Sequence, residues 1–137
     1  MGILIDTSVL IRIERDWRSS RALDISVLPN DCAISAITYS ELCSGPLRAV
    51  TVEQRERSRR FIRDLISWLD VIPFDSRCAE VRAEIHEHLR QRGMLIGERD
   101  LQIAATALAG GHQLATLNLS EFERVPGLEV VTLPTPS

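Results

Sequence analysis

The sequence predicts an α/β fold, a parallel sheet with helices on both faces. Two observations carry this reading. Apolar runs of strand length recur at 3–5, 32–35, 71–74, 113–116 and 128–133, and the longer stretches between them place apolar residues at helical spacing. Strand and helix therefore alternate along the whole chain, which is the pattern of βαβ units.

The first run, Ile3, Leu4 and Ile5, reads as a strand buried on both faces and stops at Asp6, Thr7 and Ser8. Val9, Leu10 and Ile13 then follow at helical spacing, and Thr7 or Ser8 can cap that helix. Asp6 has no such local need. A carboxylate at the C-terminal end of a buried strand sits where open α/β sheets bind ligands. A polar passage from Asp16 to Asn30 carries two apolar clusters, Trp17 and the pair Val27-Leu28, and ends in the turn signal Pro29-Asn30-Asp31.

Cys32 to Ser35 predicts a second strand, and Ser35 or Thr38 starts a helix that carries Glu41 and is broken at Gly45-Pro46. Thr51 to Leu69 is the longest helical pattern, with Phe61, Ile62, Leu65, Ile66 and Leu69 on its apolar face. Arg55, Arg59 and Arg63 form a stripe beside that face, read either as a solvated, salt-bridged surface or as an RNA-contacting one. Val71 to Phe74 predicts a third strand, with Pro73 at its end or at an edge. Asp75-Ser76 begins a helix through about Gln91, burying Cys78, Val81, Ile85 and Leu89, and Gly93 stops it. His86 and His88 lie two apart, the wrong spacing for two ligands on one helical face, and read as solvent-exposed.

Gly97 to Asp100 leads into a helix from Leu101 to Ala109, where small residues at 104, 105 and 107 permit close packing on a sheet. That closeness brings Asp100 near the strand ends. Gln113 to Thr116 is a short strand, Asn118 to Arg124 an acidic turn and Leu128 to Leu133 a last strand. The domain therefore runs over 1–133, with 134–137 as a C-terminal tail.

Composition sets the class. A chain of 137 residues, 45% apolar and 26% charged, has the length and balance of one globular domain. No run reaches membrane-spanning length and no secretion signal opens the chain, so neither insertion nor secretion is expected. Three cysteines, Cys32, Cys43 and Cys78, are odd in number and form no CxxC pair. They read as buried thiols in a reducing cytoplasm. Net charge is −3, and all 16 cationic residues are arginine. A GC-rich genome accounts for that choice, and so does phosphate recognition by planar forks.

Asp6, Glu41, Asp100 and the segment from Asn118 to Glu121 occupy comparable places, after strands or on the helices that follow them. A parallel sheet brings such positions together at its C-terminal edge. Crowded carboxylates call for a cation, and an all-oxygen donor set selects Mg²⁺ or Mn²⁺ over zinc. A metal on a carboxylate cluster is the apparatus of phosphodiester hydrolysis. Each acid also has a plainer reading: Asp6 as a turn residue, Asp100 as a charge at a helix N-terminus, Glu41 as a surface residue.

The stretches ILIDTSVLI, SAITYSELCSG, IGERDLQIAATALAGG and ATLNLSEFERVPGLEV resemble, in order and separation, the signature blocks of PIN-domain ribonucleases. Within that family the chain is similar to the VapC toxins of VapBC toxin–antitoxin pairs over residues 2–133. The resemblance implies a three-layer α/β/α sandwich with a five-stranded parallel sheet and Mg²⁺- or Mn²⁺-dependent endoribonuclease activity on structured RNA such as tRNA. It also implies a homodimer and silencing by a VapB-type antitoxin. By position, Asp6 matches the first acid, Glu41 the second and Asp100 the metal-binding acid of the third block. Many relatives carry aspartate where this chain has Asn118, and Glu121 is the nearby acid, so one fixed negative charge is missing unless Glu121 turns inward. Thr7 matches a position that helps orient the metal shell, a role its capping use explains equally.

Rivals fall away on single residues. A response-regulator receiver needs a lysine and this chain has none, a D-x-D phosphatase needs an acid where Ser8 stands, and neither GxxxxGK[ST] nor GxGxxG occurs. The expectation is a metal-dependent endoribonuclease in which Asp6 and Asp100 bind the metal, Glu41 completes its shell directly or through water, and Asn118 and Glu121 adjust it. The alternative is a catalytically silent PIN-like protein that binds a partner or RNA.

Overall fold

The computed structural model describes residues 2–18 and 28–133, the side chains of 16–18 aside. The elements run β1 (Ile3–Ile5), α1 (Thr7–Arg18), β2 (Cys32–Ser35), α2 (Ala36–Arg48), α3 (Val52–Trp68), β3 (Asp70–Ile72), α4 (Ser76–Gln91), α5 (Glu98–Ala109), β4 (Gln113–Ala115), α6 (Leu119–Phe122) and β5 (Val130–Val131). The five strands form one sheet in the order β3-β2-β1-β4-β5, and every pairing is parallel.

The sheet is the middle layer of a sandwich because its residues alternate between two cores. Leu4, Ala33 and Leu114 point to one face, where Val81, Ile85 and Leu89 of α4 and Leu101, Ile103 and Ala104 of α5 cover them. Ile5, Cys32 and Ile34 point to the other, against Val9, Leu10 and Ile13 of α1, Leu42 of α2 and Phe61 and Leu65 of α3. The small residues of α5 do what their size permits: Ala104, Ala105 and Ala107 are fully buried.

Chain order reverses at β1. The chain moves outward through β2 and β3, then crosses back to place β4 on the other side of β1. The gap between β1 and β4 at their C-terminal ends is thus the topological switch point, where such sheets open a crevice.

Several boundaries differ from the sequence expectation. Helix α2 continues through Pro46 to Arg48 instead of breaking at Gly45-Pro46. Pro46 stands in the last turn, is itself buried, and its carbonyl accepts from the Ala49 amide, so the turn closes despite the missing donor. A Cβ at Gly45 would meet Ser58 Oγ of α3 at 4.0 Å, so the glycine stands where the two helices pass. The third strand is Asp70–Ile72, displaced toward the N-terminus because Pro73 ends it, and the last strand shrinks to Val130–Val131. The acidic turn after β4 contains a one-turn helix, α6. His86 and His88 are half-buried rather than exposed, and Cys43 is half-buried where Cys32 and Cys78 are buried. Burial pushes the Cys32 thiol up to about 11, so it stays protonated. The readings of Trp17, Val27 and the tail 134–137 lie outside the described residues.

Caps agree with the residue types. Ser35 caps α2, Thr51 and Gln54 form a reciprocal capping box on α3, and Asp75 caps α4. Phe61 is the fully buried knob of α3 against the sheet. Phe61→Ala should cost about 3–5 kcal/mol, read as a lowered urea midpoint with unchanged m-value.

Candidate active site

The pairing of Ile5 with Ala115 sets the next two residues, Asp6 and Thr116, side by side at the switch point. The Asp6 amide still donates to Ala115 O at 2.8 Å, so the carboxylate leaves from ladder-fixed backbone. Asp6 is 4% exposed. A buried carboxylate is costly without donors. Two hydroxyls supply them: Ser8 Oγ and Thr116 Oγ1 each donate to Asp6 Oδ2 at 2.7 Å. Both hydroxyls are oriented in turn by backbone, Ser8 accepting from the Leu117 amide at 3.1 Å and Thr116 from the Asn118 amide at 2.9 Å.

Neither hydroxyl of the Thr7-Ser8 pair is used as a simple cap. Thr7 Oγ1 donates to Glu41 Oε1 at 2.9 Å and stands 3.1 Å from Thr38 Oγ1, which Ser35 Oγ approaches at 3.2 Å. A carboxylate only accepts, so the single Thr7 proton goes to Glu41, and Thr38 serves as donor to Thr7. The result is a buried hydroxyl chain rising from the end of β2, across α1, to a carboxylate on α2. The other oxygen of Glu41 is also taken: Arg99 Nη1 donates to Oε2 at 2.7 Å.

Asp100 enters from the first turn of α5, whose start is anchored by a forked ion pair. Arg82 Nε and Nη2 reach both oxygens of Glu98 at 2.6 and 2.7 Å, tying α4 to α5 two residues before the acid. Around Asp100 the structure gathers the remaining acids. Desolvation, then a hydrogen bond to Glu121, then the charges of Asp6 and Glu121 push its carboxyl up to about 7, partly offset by Arg99. Asp100 therefore holds its proton well above the usual carboxylate range. Asn118 Nδ2 lies 3.4 Å from Asp100 Oδ2, a long contact from the N-cap of α6.

The structure thus brings Asp6, Asp100, Asn118 and Glu121 into one cluster, and turns Glu121 inward. Glu41 stands beside this cluster, committed to Thr7 and Arg99. Sequence reading passed over Thr116 and Arg99, and took Thr38 only as a helix start. A hydroxyl directly after the strand that neighbours β1 was the available signal for Thr116; nothing local marked Arg99.

The cluster fits a hard divalent cation. Among the described residues no three His, Cys, Asp or Glu side chains stand as a ready cage. Magnesium does not require one, because it keeps several waters and binds through one or two carboxylates. The donors here are oxygen, and the strained ionisation of Asp100 is what a cation relieves.

Comparison with known proteins converges on one family. The PIN domain model matches residues 3–128. The chain is 35% identical over 134 residues to a Ribonuclease VapC of Rickettsia bellii, covering 98% of each. It is 34% identical over 97 residues to a tRNA(fMet)-specific endonuclease VapC of Salmonella typhimurium, covering 71% of each. Among solved structures, VapBC2 of Rickettsia felis bound to a promoter DNA fragment superposes with a TM-score of 0.82 at 27% identity, over 98% of this chain and 100% of that one.

The sign of the Asp100 shift gives a test. Its folded value near 7 lies above the unfolded value of about 4, so ionising it opposes folding. That penalty is absent below about pH 4, grows as pH rises toward 7 and is complete above it. In EDTA, Asp100→Asn should therefore be more stable than the native chain at pH 8, with the difference shrinking toward pH 5. Urea midpoints across that range measure it, and a pH-independent difference contradicts the assignment.

Proposed function

Because the chain belongs to the PIN-domain family, we propose that it is the toxin of a toxin–antitoxin pair, an endoribonuclease that uses a divalent cation to hydrolyse RNA phosphodiester bonds. The observation that carries the reading is the crowding of Asp100 with Asp6 and Glu121 at the switch point. It stands in a chain whose relatives named Ribonuclease VapC match it over nearly their full length. Mg²⁺, with Mn²⁺ as its substitute, is the cation proposed, held by Asp6 and Asp100. When bound, it withdraws charge from the phosphoryl group and acidifies a water.

The chain's own residues set the stage for that chemistry. Ser8 and Thr116 fix one oxygen of Asp6, leaving the other for the site. Asp100 must give up its proton to serve as a ligand, and the charge of a bound cation offsets the crowding that holds that proton in place. Asn118 steadies Asp100 without adding charge. Structured RNA such as tRNA is the substrate class proposed, on the specificity named for the Salmonella relative.

A VapB-type antitoxin is the partner proposed, since several similar structures are VapBC complexes. The surface supports a protein partner. Between α2 and α3 lies an apolar groove lined by Pro46, Leu47, Ile62 and Ile66, with Arg59 and Arg63 along it. Leu47 of this groove, and Val50 just past the end of α2, are 80% and 90% exposed, the state of side chains that a partner covers. A second copy of the chain is the other partner the family implies. No described helix is long and apolar enough to cross a membrane. An RNA substrate and free thiols fit a cytoplasmic protein.

Purified protein should cut total RNA into discrete fragments with Mg²⁺ or Mn²⁺ and leave it intact in EDTA. Asp6→Ala and Asp100→Ala should each lower the rate at least about a hundredfold while keeping a native circular dichroism spectrum. Intact RNA with every protein, alongside retained antitoxin binding, would replace the nuclease with a silent binding domain.

A further inference from the structure

Arg99 follows Glu98 and precedes Asp100, so three consecutive side chains of one helical turn take three directions. Glu98 ties back to α4, Asp100 enters the acidic cluster, and Arg99 crosses to Glu41 on α2, 58 residues away in sequence. The charge of Arg99 reaches Asp100, which places this cation at the mouth of the site.

Arg59 and Arg77 also pair through Nη1 alone, but each with a glutamate three residues away on its own helix. Arg99 reaches across to another helix, and its pairing differs from that of the two forked arginines. Arg82 spends two nitrogens on both oxygens of Glu98, and Arg90 does the same with Glu87. Arg99 engages Glu41 through Nη1 alone, and 61% of its side chain is exposed. A guanidinium carries five N–H donors in a planar fork. A single bond to Glu41 fixes the fork while leaving donors for a second planar acceptor, and phosphate matches that geometry.

The Glu41 side is built where the Arg99 side is open. Thr7 holds Oε1, and Thr38 and Ser35 continue the chain of hydroxyls into the buried end of β2. So much buried support for one exposed ion pair has little return in stability, because exposed pairs contribute little. It has a return if the pose of Arg99 matters.

Resting on the endoribonuclease reading above, we propose that Arg99 takes an RNA backbone phosphate beside the scissile bond. Glu41 is the positioning residue that holds it there, rather than a ligand of the cation.

The test uses bulk tRNA as substrate and the full chain. Arg99→Gln should lower kcat/KM about tenfold or more, and Arg99→Lys should recover only part, since lysine keeps the charge and loses the fork. In an Asp6→Asn background that binds without cutting, Arg99→Gln should shrink the slope of log K against log salt by about 0.7, one single-strand phosphate. Glu41→Gln should leave Mn²⁺ affinity, read by electron paramagnetic resonance, within about threefold of native, and should reduce the further effect of Arg99→Gln to under about threefold. The proposal fails if Arg99→Gln changes neither rate nor salt slope. It fails equally if the two substitutions act independently, or if Glu41→Gln loses Mn²⁺ as fully as Asp100→Asn does. Native protein that leaves tRNA and total RNA uncut would instead overturn the nuclease reading, and this proposal with it.

Discussion

The parallel pairing of β1 with β4 is the constraint on which the rest of the site depends. Ile5 opposite Ala115 dictates that Asp6 emerges beside Thr116, and the Thr116 hydroxyl then makes burial of that carboxylate affordable. A slip of one residue would turn Thr116 to the opposite face of the sheet and leave Asp6 without its donor. Register is secure because both strands are packed on two faces, with Leu4 and Leu114 in one core and Ile5 in the other. The catalytic candidate is thus positioned by the same hydrophobic alternation that builds the sandwich.

The carboxylates divide their surroundings unequally. Asp6 has one oxygen satisfied twice by hydroxyls, and Glu41 has each oxygen satisfied, one by a hydroxyl and one by a guanidinium. Asp100 has a long amide contact, a neighbouring carboxyl and desolvation, with only the charge of Arg99 in compensation. The crowding is concentrated at one residue on one helix, and that helix is anchored by the Arg82–Glu98 fork to α4. Rigid support under an unfavourable charge arrangement is the common form of a functional site, since stability alone would not assemble it.

Arginines in this chain do at least two jobs that sequence does not separate. Those forked onto carboxylates, Arg82 and Arg90, staple surfaces, and Arg59 pairs with Glu56 within α3. The pairing of Arg59 supports the solvated reading of the α3 stripe, while its neighbour Arg63 edges the apolar groove between α2 and α3. Arg99 differs through place, reaching from α5 to a carboxylate on α2 at the rim of the acidic cluster.

Much of the fold was legible from pattern because strands and helices obey local periodicity. The strand Cys32–Ser35, the capped helices from Thr51 and Asp75 and the buried alanines of α5 all stand where their residue types put them. Pro46 was misread because the rule that proline breaks helices applies to interiors, and its tolerance in a last turn packed on α3 is a tertiary matter. The acids themselves were equally legible, Asp6, Glu41, Asp100 and Glu121 each standing at an element boundary. Their roles were not. Whether Glu121 turns toward Asp100, whether Thr7 caps a helix or holds Glu41, and which of 16 arginines meets the cluster depend on contacts between residues 34, 58 and 110 positions apart. The sequence by itself determined the alternating elements and the acids at their ends, because those follow from periodicity and capping within a few residues. Only the tertiary structure decided which side chains crowd together and which share a hydroxyl or a guanidinium, because that is set by strand register and helix packing across the whole chain.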